Sequence, residues 1–183
     1  GAQFHSNVEL DYAAVTLRSM SDKKFLNPAI ANFADVLNHP TFPTSDFKRM
    51  KQQILTGLQG EQQEPGTIAS HAFYEAIFKG GPYGKPSFGT LESIGQLSQE
   101  DLIKFYQRFF TAENTHIVMV GDLKRAEAEK LAVQIAGSLP RGQYTAVIVE
   151  KEIPAKNEVK NIRFPSEQTH ILIGQRAIPR LSP

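Results

Sequence analysis

The stretch from Gly80 to Asp122, GGPYGKPSFGTLESIGQLSQEDLIKFYQRFFTAENTHIVMVGD, limits what this chain can fold into more than any other part of it. It places a loop, a helix start, an amphipathic helix and an apolar run in one fixed order. Gly-Pro-Tyr-Gly-Lys-Pro punctuates a loop, because proline fixes φ and removes an amide donor while glycine reaches angles that other residues avoid. Ser98 followed by Asp101 has the spacing of a capping box, which predicts a helix start there. Leu102, Ile103, Phe105, Tyr106 and Phe109 then recur at helical spacing and are expected in the core, so the aromatic cluster reads as packing rather than as a binding platform. Ile117, Val118, Met119 and Val120 read as a short buried strand, and Asp122 after Gly121 as a turn residue capping the helix beyond. This order is a fold fingerprint and holds no reaction centre.

The flanking sequence extends the pattern. Gln3 to Glu9 and Tyr12 to Met20, around Leu10-Asp11, read as a hairpin or two successive strands. From Asn27-Pro28 the apolar residues Ile30, Phe33, Ala34 and Leu37 predict an amphipathic helix that His39-Pro40 stops. A second helix is expected from Thr44-Ser45-Asp46 to Gly60 and a third from Pro65, carrying Ile68, Ala72, Phe73 and Ile77. A last helix spans Arg125 to Ser138. Past Gln143 the periodicity weakens into charged, proline-containing sequence before a further strand at Thr169 to Gln175. The fold class is α+β, with a mostly antiparallel sheet covered by helices.

Composition excludes several functions. The 183 residues carry 20 basic and 19 acidic side chains, a net charge of +1 that provides no field to gather nucleic acid. Zero cysteines rule out a thiolate nucleophile, a disulfide and a Cys-ligated zinc, and leave the compartment open between cytoplasm and periplasm, with the periplasm favoured. No apolar run approaches the roughly 18 residues of a membrane-spanning helix. Gly80-Gly81 and Gly84 do not join a strand to a helix, so they are turn residues and no phosphate cradle.

The order from Asn38-His39-Pro40-Thr41-Phe42 through the Gly80-to-Asp122 stretch to Ser138-Leu139-Pro140-Arg141-Gly142 resembles the pitrilysin/insulinase family of zinc peptidases. The resemblance covers nearly the whole chain. It implies a pitrilysin-type peptidase domain, one of several homologous α+β domains whose two halves enclose a chamber where unfolded peptides are cleaved. Residues 1–142 would be the later part of one such domain, 143–163 a linker, and 164–183 the first strand of the next, with both ends cut from a longer protein.

That chemistry requires His-x-x-Glu-His on a helix, which sets two imidazoles one turn apart on zinc with the Glu as general base, and a distant Glu as third ligand. The motif is absent here: His5, His39, His71, His116 and His170 are too far apart in sequence to share a helix turn. Aligning Arg49 to Leu58 with the family's ligand helix puts Gly57 where the zinc-binding Glu belongs, and the nearest carboxylate, Glu61, comes about one turn late. The resemblance therefore implies a chain with no catalytic residue and no metal ligand, its zinc residing in the family's catalytic half. Its expected partners are a homologous catalytic domain or subunit and an unfolded peptide, bound by strand addition to an exposed sheet edge. Matching the family's edge strand to this chain through Asp11 puts His5-Ser6 on the substrate-contacting pair, flanked by Phe4 and Asn7. Taken alone, His5 reads as a solvated strand residue, and His71 and His116 as structural histidines. Two alternatives accompany this reading: an active zinc endopeptidase whose His-x-x-Glu-His lies before Gly1, and a pure assembly module.

Overall fold

Each expected helix forms in the computed structural model, which describes residues 1–143 and 157–177, and most boundaries follow from capping. The described strands β1 (Gln3–Val8) and β2 (Ala13–Arg18) form an antiparallel hairpin with Phe4 opposite Leu17 and Ser6 opposite Val15. Helices follow as α1 (Lys23–Asn38), α2 (Thr44–Glu61), α3 (Pro65–Ile77), α4 (Leu91–Gln96), α5 (Gln99–Phe109) and α6 (Arg125–Ala136). The α+β class holds, with helices dominating and a small antiparallel sheet.

Differences from the sequence reading have local causes. Helix α1 starts four residues before Asn27, because the Asp22 carboxylate accepts from the Lys24 amide and sets the cap there. Pro28 consequently sits inside the helix, where it has no amide to bond back to Lys24 O and its ring crowds that carbonyl. The Thr90 hydroxyl accepts from the Ser93 amide and the Ser93 hydroxyl from the Thr90 amide, a capping box that starts the unexpected short helix α4. Ser98 and Asp101 form the box that their spacing predicts. Asp122 does not cap α6, whose N-cap is Lys124 without a side-chain bond. Residues 115–120 and 169–175 form no ladder among the described residues. An apolar run becomes a strand only when a neighbour pairs its amides and carbonyls, and propensity alone cannot provide one.

The chain divides into two compact units, Gly1–Thr44 with Ser98–Val147, and Ser45–Leu97 with Ile148–Pro183. In the first, Ile30 and Phe33 of α1 and Ile135 of α6 form the core, with Leu17 of β2, Leu37, Met119 and Leu131 packed around them. The Phe4 ring lies 6.1 Å from that of Phe33, so the hairpin rests on α1 through one face. Side chains fasten the helix ends: Asn38 Nδ2 donates to Ala34 O (2.6 Å) and Ile135 O (2.7 Å), and the Tyr106 hydroxyl donates to Leu37 O (2.6 Å). Burial raises the Tyr106 pKa. Only part of α5's apolar set is inward: Ile103 and Tyr106 are half-buried, whereas Leu102 and Phe105 are exposed, which corrects the expectation that all five would be covered. Thr111 is 2% exposed, and the Ala112 and Glu113 amides donate to Pro140 O and Arg141 O. Gly142, at φ +68°, leans on Thr111 so closely that a Cβ would overlap its side chain.

In the second unit Leu58 of α2 is buried and Lys51 Nζ donates to Gly95 O (2.7 Å) and Leu97 O (2.8 Å), closing the C-terminus of α4. The segment expected as a last strand lies along α3 instead. Its Gly174 meets the Phe73 ring so closely that a Cβ would come within 2.6 Å of it, and Arg176 lies over the Phe78 ring at 5.1 Å. Lys160 pairs with Glu75 at 2.8 Å, which lowers the Glu75 pKa.

Candidate peptide-binding edge

Strand alternation decides what β1 can offer. Residues two apart share a face, so Phe4 and Ser6 stand on the side that meets α1 through Phe33 and Leu17, while His5 and Asn7 stand on the other. The four residues suggested by the sequence are therefore contiguous in one strand but divided between two faces. His5 and Ser6 are exposed, Phe4 is 50% exposed, and Asn7 Nδ2 turns back to Glu9 Oε1 at 3.1 Å.

Backbone direction follows from the register. The Glu9 amide donates to Tyr12 O at 2.8 Å, so Glu9 turns its amide inward across the hairpin. Because inward and outward residues alternate in an antiparallel ladder, Asn7, His5 and Gln3 turn their backbone groups toward β2. Phe4, Ser6 and Val8 turn theirs outward, and among the described residues no strand pairs with that edge. Val8, 81% exposed, belongs to this outward set and lies outside the four residues that the sequence suggested. Only the register, set by the two-residue tip Leu10-Asp11, reveals it.

At the open end of the hairpin Gly1, Gln3, Arg18, Ser19 and Met20 line an open recess of about 350 Å³. Among the described residues no carboxylate pairs with Arg18, and the Ser19 hydroxyl oxygen is buried with no hydrogen-bond partner.

Zinc does not fit the described residues. Gly57 lies inside α2 with nothing within 4 Å of the position its Cβ would take, and it has no donor atom. Glu61, at the end of α2, approaches His71 Nε2 at 3.9 Å, and among the described residues no group of three or more His, Asp or Glu side chains is placed to hold a metal ion. No described helix is long and apolar enough to cross a membrane.

Residues 96–182 match the family model described as the Peptidase M16 inactive domain. An uncharacterized zinc protease of Rickettsia bellii is 27% identical over 148 residues, 81% of this chain and 35% of that protein. The cytochrome b-c1 complex subunit 1 of Saccharomyces cerevisiae is 26% identical over 86% of this chain and 36% of its own length. Among solved structures, the crystal structure of a peptidase M16 inactive domain from Pseudomonas fluorescens superposes with a TM-score of 0.78 at 35% identity, covering 81% of this chain and 36% of that one. The chain thus spans little more than a third of the length of these relatives. With the loop, capped helix and hairpin all in the expected order, the chain belongs to the pitrilysin/insulinase-type (M16) zinc peptidases, on their inactive-domain side.

Proposed function

We propose that this chain handles substrate for a pitrilysin-type peptidase without cleaving it, and that unfolded peptide adds as a third strand along the outer edge of β1. Zinc and the general base then come from a homologous catalytic domain or subunit, and the two together enclose the peptide. Residues 1–142 serve as the later part of one domain and 164–183 as the start of the next. The observation that carries the reading is the outward set of Phe4, Ser6 and Val8 backbone groups on an edge with no described partner. Backbone bonds ignore side-chain identity, which suits a protein that selects unfolded chains rather than a motif. The split of Phe4 and Ser6 from His5 and Asn7 supports the same view, since their side chains do not converge on one pocket.

The register also supplies the test. Proline at position 6 removes an outward amide and spares the ladder to β2, whereas proline at position 5 removes an amide that bonds toward Thr16. In the full-length protein, with chelator present to silence any zinc site, a labelled unfolded peptide should bind the parent and fail to bind Ser6→Pro. Ser6→Pro should remain as stable as the parent while His5→Pro loses stability. Undiminished binding by Ser6→Pro would overturn strand addition. The similarity to a cytochrome b-c1 complex subunit favours a second reading, an assembly module, and that reading predicts no peptide binding by the parent at all.

A further inference from the structure

An unpaired strand edge is a template for any strand that reaches it, and proteins ordinarily guard such edges with lysine, proline, an inward charge or a bulge. The edge of β1 has none of these guards. From Gln3 to Val8 it holds no Lys, Arg, Asp, Glu or Pro, and its register with β2 runs residue for residue without a bulge. The hairpin is also a sheet of only two strands among the described residues, fewer than a sheet ordinarily needs to be stable by itself. In residue class Phe4-His5-Ser6-Asn7-Val8 is the same in both directions: apolar, polar, serine, polar, apolar. The outward backbone groups share that centre, with Phe4 and Val8 placed evenly on either side of Ser6. Such an edge is complementary to itself, as an isologous two-fold contact requires.

We propose that β1 pairs with β1 of a second copy, antiparallel about a two-fold axis through Ser6, so that two hairpins form one four-stranded sheet. This register engages every outward residue of both copies: Ser6 faces Ser6, and Phe4 faces Val8 in both directions. A slip of two residues leaves one outward residue without a partner, and a slip of one sets inward groups against outward ones. Phe4, 50% exposed, and Val8, 81% exposed, then cover each other as an aromatic and β-branched pair. On the other face His5 stands opposite Asn7, and Glu9 comes into line with Gln3 and Arg18 of the second copy, opposite charges about 10 Å apart across two strand spacings. A parallel pairing would set Glu9 beside Glu9 instead. The pairing needs the register alone, whereas its consequence for substrate rests on the strand-addition reading. Peptide and second copy use the same amides, so a peptide binds only by opening the pair.

These 183 residues contain no cysteine, so single introduced thiols report the contact in full-length protein, read against the parent. Without peptide, Ser6→Cys should give disulfide-linked dimer on mild oxidation, because the Cα atoms of a directly opposed, hydrogen-bonded pair lie about 5.5 Å apart, within disulfide reach. Val8→Cys alone should give none although Val8 is 81% exposed, because its two copies lie four residues apart along the strands, roughly 14 Å. A mixture of His5→Cys and Asn7→Cys should link one variant to the other, since that pair is opposed at about 4.5 Å. No dimer from Ser6→Cys, whether because another segment covers β1 or because the edge stays single, would overturn the pairing. Equal dimer from Val8→Cys would overturn it too, as the mark of random collision. Excess unstructured peptide, its binding followed by fluorescence anisotropy with chelator present, should diminish the Ser6→Cys dimer. Peptide that binds while the dimer forms undiminished would sink strand addition on this edge and leave the pairing standing.

Discussion

Asn38 offers the sharpest test of how the first unit is held together. Its side-chain amide donates both hydrogens to carbonyls, Ala34 O at 2.6 Å and Ile135 O at 2.7 Å, and so ties the end of α1 to the end of α6. Two acceptors at that distance can be met only by an NH2 group, which fixes the orientation of the amide. Ala34 O lies within α1 and keeps its helix donor, whereas Ile135 O, in the last turn of α6, has no intrahelical donor of its own. Asn38→Ala removes two bonds of about 1 kcal/mol each and regains about 0.5 kcal/mol of helix propensity, for a net loss of about 1.5–2 kcal/mol. Asn38→Asp is nearly isosteric but sets carboxylate oxygens against two carbonyl oxygens, so it should cost about 3–4 kcal/mol at neutral pH. The sign with pH follows. The new carboxyl has a folded-state pKa raised above its unfolded value, so the variant is most stable below the unfolded pKa and loses that stability as pH rises through the folded one. Urea denaturation of both variants from mildly acid to neutral pH measures the gap. If Asn38→Asp is as stable as Asn38→Ala at neutral pH, or their difference does not shrink on acidification, the described pairing is wrong.

Other consequences are simpler. Gly142→Ala should lose about 2–4 kcal/mol in a urea melt, combining the left-handed backbone with overlap against buried Thr111; a neutral effect would refute that close approach. Gly57→Ala should gain about 0.5–1 kcal/mol, because the position is helical and open; a loss in the full-length protein would reveal a surface seated on α2. Asp101, held below its ordinary pKa by the Ser98 hydroxyl and amide, supports α5 above its unfolded pKa and ceases to do so as pH falls through the lowered folded value. Asp101→Asn should therefore flatten the acid side of the stability profile, and an unchanged slope would remove the capping box from the account.

Signals confined to a few neighbouring residues were the legible ones. Ser98 and Asp101 place the start of α5 correctly, since a capping box is a pair of bonds between residues three apart, and Pro65 marks the start of α3 because its fixed φ suits a first helical turn. The Asp22 cap and the Thr90–Ser93 box are equally local, but stronger breakers stand close to each, Pro28 and the loop glycines. The α5 residues show the opposite case: helical spacing identified an apolar set, but Leu102 and Phe105 stay exposed while Tyr106 turns inward to Leu37 O. Spacing names a stripe, and only the neighbouring helices decide how much of it is covered.

For the candidate site the division is just as clear. By itself the sequence pointed to the family, and it showed that these 183 residues hold neither a His-x-x-Glu-His nor a donor atom at Gly57. It also pointed to the strand from Phe4 to Asn7. Which of those residues turn their amides outward, that Val8 joins them, and that Arg18 stands opposite Gln3 were decided by the pairing of β1 with β2. A strand's side chains and backbone groups alternate with a period of two, so a shift of one residue would reverse every assignment. That register is fixed where the chain closes the Leu10-Asp11 tip and pairs the two strands, a geometry that the residue types of β1 do not specify.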